Sequence, residues 1–260
     1  MVWVLRGLRE GIVTSRYPRR PDGYGDSFRA SVAVTVPRYR RGAEDDEKLA
    51  ALCPTGAIHS GDRLQVDRGS CIVCGRCVDA APDRFSFDPS PELSALRRKA
   101  VVVPRDDDEG LADVRTALAA RVRALRRSIH IRHVDAGSDG AEEWEVSALR
   151  NPVYDVQRLG IFFTATPRHA DVLLVTGVGS AGMAGPLRRT FDAMPDPKVV
   201  IAAGTDAVSG GLVHPSYASG PGIGSIVPVD VWVPGSPPSP FGLLHGILVG
   251  VGLLTDGSAP

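Results

Sequence analysis

The chain has 260 residues, which suits one large domain or two small ones, and at 43% hydrophobic it can bury a real core. Formal net charge is zero, so nothing global points to a nucleic-acid partner.

The charge is uneven along the chain. Residues 1–42 carry nine Arg and three acids, a basic arm that is either a solvated surface or a docking segment for an acidic partner. "MVWVLRGLREGIV" lacks the long apolar stretch and small-residue cleavage site of a secretory leader. The expected location is therefore cytoplasmic, free or peripheral on the cytoplasmic face of a membrane complex.

All four cysteines, Cys53, Cys71, Cys74 and Cys77, fall within 25 residues. A disulfide framework would spread them to close large loops, so in a reducing compartment the cluster reads as metal binding. Thiolates are soft donors suited to iron–sulfur clusters and to zinc. In "CIVCGRC", two-residue spacers let three sulfurs converge, and Gly75 relieves crowding inside the turn. The bacterial iron–sulfur run continues C-x3-C-P, and that fourth cysteine serves the other cluster of a two-cluster ferredoxin. Here its place is taken by Ala81-Pro82, while "CPTGAI" offers Cys53-Pro54 as the remote ligand of the remaining cluster. Counting back from Cys53 at the same spacing reaches Leu49, Asp46 and Ala43, none of them a ligand for a second cluster. The pattern resembles a two-cluster ferredoxin with one cluster deleted cleanly, leaving a single [4Fe–4S] cluster on Cys53, Cys71, Cys74 and Cys77. A structural zinc site and a metal-free relic are the alternatives. Zinc more often uses two separated cysteine pairs.

A break follows Val103 at "PRDDDEG". In "LADVRTALAARVRALRRS", Leu111, Val114, Leu118, Val122 and Leu125 recur at helical spacing and predict a connecting helix packed on one domain. Next, "SIHIRHVD", "GIFFTAT", "DVLLVTG", "KVVIAAG" and "SIVPVDVWV" read as strands, with "MAGPLRRTFDAM" as an intervening helix. Such alternation implies a parallel sheet. "GVGSAG" fits G-x-G-x-x-G at Gly177, Gly179 and Gly182, after a strand and before a helix. It is either a dinucleotide turn, with Asp206 placed to meet a ribose, or a glycine-rich structural turn. His133 and His169 sit beside arginines at strand edges, and packing or hydrogen bonding accounts for them. "FGLLHGILVGVGLL" is 14 residues long, short of the roughly 20 that cross a bilayer, and predicts a buried C-terminal helix around a hydrogen-bonded His245.

Over about residues 128–254, "IRHVDAGS", "NPVYDVQRLGI", "PRHADVLLVTG", "PLRRTFDAMPDPKVVIAAG", "VSGG" and "VPVDVWVPGSPPSP" resemble the B subunit of NADH-quinone oxidoreductase. They equally resemble the matching small subunit of formate hydrogenlyase and other energy-converting [NiFe] hydrogenases. "GIVTSRYPRRPDGYGDSFRA" and the cysteine region resemble the ferredoxin-like subunit of the same complexes. The chain is thus similar to two neighbouring electron-transfer subunits fused. The resemblance implies an α+β ferredoxin-like domain at 1–103, a linker helix at 104–127 and an α/β flavodoxin-like parallel-sheet domain at 128–260. It also implies a large catalytic subunit and membrane subunits as partners, with no membrane span of its own.

The resemblance fails at the second domain's own cluster. The family's GSCNGCE reads "GSDGAEE", placing Asp139 and Glu142 at two cysteine positions. GDCAISGG reads "GTDAVSGG", with Asp206, and PGCPP reads "PGSPP", with Ser236. Carboxylates and a hydroxyl are hard donors, poorly matched to iron–sulfur chemistry. They could converge on Mg²⁺ or Ca²⁺, or be solvated or paired with arginines in the space the cluster left. Three functional readings follow. The first is an electron-transfer subunit that performs no bond chemistry. The second is a structural docking subunit whose relay is interrupted. The third is a nucleotide-dependent oxidoreductase using Gly177, Gly179 and Gly182.

Overall fold

A computed structural model describes residues 2–20, 28–35, 43–105, 110–125, 128–214 and 216–256. Parts of the basic arm and of the charge run, at 21–27, 36–42 and 106–109, lie outside the described residues, as do 126–127 at the end of the linker segment.

The chain opens with α1 (Val2–Glu10), which buries no residue. The cysteine-bearing part follows. β1 (Ser31–Val34) pairs antiparallel with β4 (Phe85–Asp88). β2 (Ile58–His59), β3 (Gln65–Asp67) and β5 (Val102–Val103) form a second antiparallel sheet in the order β2-β3-β5. α2 (Ala43–Ala51) and α3 (Arg76–Ala80) complete this part. Val32, Ile58, Leu64, Val66, Ala81 and Phe85 form its apolar core, with Leu49, Cys53, Cys71 and Cys77 packed against it.

The strand-to-cysteine turn is fastened by Asp67. Its carboxylate accepts from Gly69 N (2.9 Å), Ser70 Oγ (2.7 Å) and both terminal nitrogens of Arg98 (2.8 and 2.6 Å). Burial pushes the Asp67 carboxyl up, but the Arg98 hydrogen bonds and charge outweigh it and hold the group below the usual carboxylate range. The turn that delivers Cys71 is thus tied to the segment leading into β5.

Helix α4 (Leu111–Arg121) turns inward the face its spacing marks: Leu118, Val122 and Leu125 are buried, and Leu111 and Val114 pack beside them. Beyond it lies a five-stranded, wholly parallel sheet of β6 (Ile129–Asp135), β7 (Ile161–Phe163), β8 (Val172–Thr176), β9 (Val199–Ala203) and β10 (Val231–Val233). The order is β10-β9-β8-β6-β7. Counted from β6 this is 2-1-3-4-5, a doubly wound order whose switch point lies between β6 and β8. β8 and β9 are buried along their whole length because both sheet faces are covered. Side chains alternate accordingly. Ile131, Leu174 and Ile201 face α4, α5 (Ala141–Ala148) and α8 (Pro240–Gly250), whereas Leu173, Val175 and Val200 face α6 (Ala181–Asp192) and α7 (Thr205–Ser209).

Residues 241–250 of the C-terminal apolar run lie in the buried helix its composition predicts, every residue of α8 being buried, while the run's last four residues leave the helix and Leu253 is exposed. His245 within it is 1% exposed, and its Nε2 lies 3.3 Å from the Thr255 carbonyl. β10 is shorter than "SIVPVDVWV" suggests. Residues 223–225 form a 3-10 turn, Pro228 can donate no ladder hydrogen bond, and pairing starts only at Val231.

The two parts are interlocked. Ala95 and Trp232 exchange backbone hydrogen bonds (2.9 and 2.8 Å), adding an antiparallel bridge beyond β10. Tyr17 sets its ring edge-on to Phe241 at 5.5 Å, and Tyr17 and Leu96 both belong to the core beneath α8.

Candidate functional site: a cysteine pocket beside a buried acid cluster

Cys53 follows α2 in a tight turn, with Gly56 N donating to its carbonyl (3.2 Å). Cys71 and Cys74 lie on the loop after β3, and Cys77 lies in the first turn of α3. All four are free thiols and line one hollow together with Val32, Pro54, Ile58, Val66 and Ile72. Backbone amides point at the sulfurs: Ala57 N donates to Cys53 Sγ at 3.2 Å and Val73 N to Cys71 Sγ at 3.4 Å. Burial pushes the Cys71 thiol up to about 11. The Val73 amide pulls it down, and Cys77, Cys53 and Cys74 add to the rise. Cys77 is raised first by burial and further by Cys74 and Cys53. Cys71 and Cys77, raised by burial in an apolar hollow, are thiols that a positive centre would stabilise as thiolates.

Four cysteine thiols lining one hollow are a soft donor set, chemically suited to an iron–sulfur cluster, which takes one thiolate at each iron, and also to zinc. Among the described residues, no group of three or more His, Cys, Asp or Glu side chains is already disposed to hold a single metal ion. When bound, such a cluster supplies one-electron transfer. The chain's own part is to hold the thiolates, aim the Ala57 and Val73 amides at sulfur and exclude water with Val32, Ile58 and Val66.

Ala81, where a second cluster's remote cysteine would stand, is 6% exposed and packed in the core of this part. Leu49, another such position, packs against the same core. Asp46, a third, accepts from Arg84 Nη2 at 2.9 Å, and Arg84 is itself 4% exposed.

Asp139, Glu142 and Asp206 gather at the carboxyl ends of β6 and β9. Gly235, just before the exposed Ser236, accepts at its carbonyl from Thr205 N (2.7 Å), next to Asp206 in sequence. Glu142, in the first turn of α5, is 3% exposed, and its Oε2 is buried without a hydrogen-bond partner. It is neither solvated nor paired with arginine, two of the three environments the sequence suggests for it. Its carboxylate presses on Gly204, at the end of β9 with φ +95, where any Cβ would collide with it. Burial pushes the Glu142 carboxyl up to about 7, against a pull downward from a hydrogen bond with its own backbone amide and with further push from Asp206, Asp139 and Glu143. Asp206 is raised by burial and by Asp139 and Glu143.

A chain of side chains unforeseen in the sequence joins this cluster to a cleft. Ser138 Oγ (2.5 Å) and Thr176 Oγ1 both donate to Glu143, and His133 Nε2 lies 3.0 Å from Thr176 Oγ1. Only the topology brings β6, β8 and α5 together, so spacing carried no signal for it. The acid cluster also touches the cysteine pocket, because Thr205 Oγ1 donates to the Cys71 carbonyl at 3.1 Å.

At the glycine turn, a Cβ on Gly177 would strike the backbone of Gly137 and Ser138. Ser180 N donates to Ala136 O (2.9 Å) and Ala181 N to Ala218 O (2.8 Å). The close approach and amides that a pyrophosphate would use are taken here by the chain itself.

Residues 140–249 match the family described as the NADH ubiquinone oxidoreductase 20 kDa subunit, and residues 66–120 match the 4Fe–4S single cluster domain of ferredoxin I. The second match includes Cys71, Cys74 and Cys77 and begins after Cys53. Formate hydrogenlyase subunit 7 of Escherichia coli is 38% identical over 154 residues, covering 59% of each chain. The chain thus spans little more than half of that relative. The probable membrane-bound hydrogenase subunit mbhJ of Pyrococcus furiosus is 36% identical over 132 residues, 51% of this chain and 79% of the relative. A subunit in the structure of the membrane-bound sulfane sulfur reductase, an archaeal respiratory membrane complex, is 29% identical with a TM-score of 0.46, over 53% of this chain and 76% of the other. With four-fifths of a hydrogenase small subunit matched at this identity, and with the family's own pattern running through the parallel sheet, the chain belongs to the family of the NADH ubiquinone oxidoreductase 20 kDa subunit.

Proposed function

We propose that the chain is an electron-transfer subunit of a complex I-like or hydrogenase-like oxidoreductase assembly, carrying one [4Fe–4S] cluster on Cys53, Cys71, Cys74 and Cys77. The observation that carries this reading is the single apolar hollow lined by all four thiols with amides aimed at sulfur. The match to a single-cluster ferredoxin domain supports it. Residues 1–103 are then a ferredoxin-like unit, 104–127 a linker and 128–260 a flavodoxin-like unit that has exchanged its cluster for Asp139, Glu142, Asp206 and Ser236. The partners are a large catalytic subunit and membrane subunits, and the chain sits peripherally on the cytoplasmic face. Among the described residues no helix is long and apolar enough to cross a membrane. Helix α1 exposes Val4, Leu5 and Leu8 on one face, suited to burial in an assembly.

A second reading, a docking subunit without a through-going relay, is favoured by one observation: carboxylates stand where the family's next redox centre would be. Anaerobic potentiometric titration followed by EPR separates the two. Electron transfer predicts a reversible one-electron signal in the isolated chain that reoxidises when the reduced chain meets its catalytic partner. A cluster that stays reduced in the assembled complex would leave only the docking role.

A further inference from the structure

Glu142 poses a physical problem that the electron-transfer reading does not address. One of its carboxylate oxygens is buried without a hydrogen-bond partner, a bond from its own backbone amide only partly offsets that burial, and negative neighbours make ionisation worse. The charges bearing on it come from every side: Asp206 on α7, Asp139 on the loop after β6, and Glu143 one residue along α5. Glu143 is engaged by Ser138 and Thr176. Asp139 accepts from Ala141 N at 3.0 Å. His133, at the far end of the chain, lies 3.7 Å from Glu143 Oε1, and burial lowers its proton affinity, so it offers little positive charge.

Two ligands would relieve the orphaned oxygen, a cation or a proton. A divalent cation needs several oxygens at about 2.0–2.6 Å. Among the described residues no three acids are disposed to hold one. A proton needs only the one carboxyl.

We propose that Glu142 is a proton-binding site, which takes up and releases a proton within the acid cluster of Asp139, Glu143 and Asp206, with Glu143 as a member that meets solvent. Glu143 lines a cleft together with Arg132, His133, Ser147 and Arg150. Thr176 and His133 hold Glu143 in place there: Thr176 donates to Glu143 while facing His133 Nε2. The upward push on Glu142, to about 7, places the exchange near neutrality.

The test is infrared difference spectroscopy on the full chain titrated from about pH 4 to about pH 9, in H₂O and in D₂O. This band is read whether or not iron is bound, so its outcome is independent of the cluster assignment. The expected result is a protonated-carboxyl carbonyl band, shifted in D₂O, that disappears with a midpoint near 7 and is absent from Glu142→Gln. Asp206→Asn, which removes a neighbouring negative charge, should move the midpoint to lower pH, and this arm stands if Glu142→Gln fails to fold. Loss of all carboxyl bands at ordinary carboxylate pH, about 4, would overturn the proposal. So would an unmoved midpoint in Asp206→Asn. A bound divalent metal in the wild type, absent from Glu142→Gln, would assign the site to a cation instead and equally overturn it.

Discussion

Cys53→Ala is expected to strip the chain of iron and to destabilise its first half. Cys53 is the one proposed ligand outside the ferredoxin-domain match, 18 residues before Cys71, so its role rests on geometry. It lines the same hollow as the other three thiols, receives the Ala57 amide and packs against the Val32–Ile58–Phe85 core. Metal-site binding energy is folding energy, on the order of 10 kcal/mol for a structural site with thiolate ligands. Loss of one ligand of four should therefore remove most bound iron and lower the unfolding midpoint by many degrees. Ala81→Ser is the matched control. Ala81 is buried in that core but does not line the hollow, so the change should lower stability modestly and leave iron content unchanged. Iron analysis and thermal melts of both variants check this. Full iron retention in Cys53→Ala would remove Cys53 from the ligand set.

The second large effect is an inverted mutational outcome: Glu142→Gln should stabilise the protein at alkaline pH. The carboxyl's folded value, about 7, lies above its ordinary value of 4.5. A group raised on folding contributes stability that is fully present below its unfolded value and lost as pH rises through its folded value. A tenfold difference in proton affinity between folded and unfolded chain is worth about 1.4 kcal/mol. The wild type should therefore lose roughly 3 kcal/mol from this group between about pH 4 and about pH 9. Glutamine cannot ionise and keeps the shape, so the variant's advantage should grow by that amount over the same range. Urea unfolding of both proteins at the two ends of the range measures it. An advantage that does not change with pH would mean that Glu142 ionises without penalty.

Much of this was legible in the residues. Strands β8 and β9 follow from β-branched apolar runs that have no polar alternation, because the centre of a doubly covered sheet has no solvent face, whereas β6 alternates apolar Ile129, Ile131 and Val134 with polar neighbours. Helix α8 follows from 14 apolar residues too few to span a bilayer, and the cysteine pocket from spacing alone. Other features depend on contacts distant in sequence, and no local pattern announces them. Tyr17 and Leu96 lie in the first hundred residues yet complete the core beneath α8. Arg84 and Asp46 look like surface charges until folding buries them against Ala81's neighbourhood. The positions of Asp139, Glu142 and Asp206 stood out through the family resemblance, but not their burial. The strand order sets that, by bringing the ends of β6 and β9 beside the switch point. The glycine turn is the opposite case. Its spacing satisfies a nucleotide fingerprint, while Gly137, Ser138 and Ala218 occupy the backbone that the fingerprint would leave free.

Stoichiometry tests the central claim most directly. The chain would be expressed and purified anaerobically, iron and acid-labile sulfide measured per polypeptide, and the EPR spectrum recorded after dithionite reduction. One cubane's worth of iron and sulfide, with a single reduced-cluster signal, is the predicted result. Zinc without sulfide would contradict it and make the cysteine pocket structural. Two cubanes' worth would contradict it too, because Asp139, Glu142, Asp206 and Ser236 would then have to be holding a cluster.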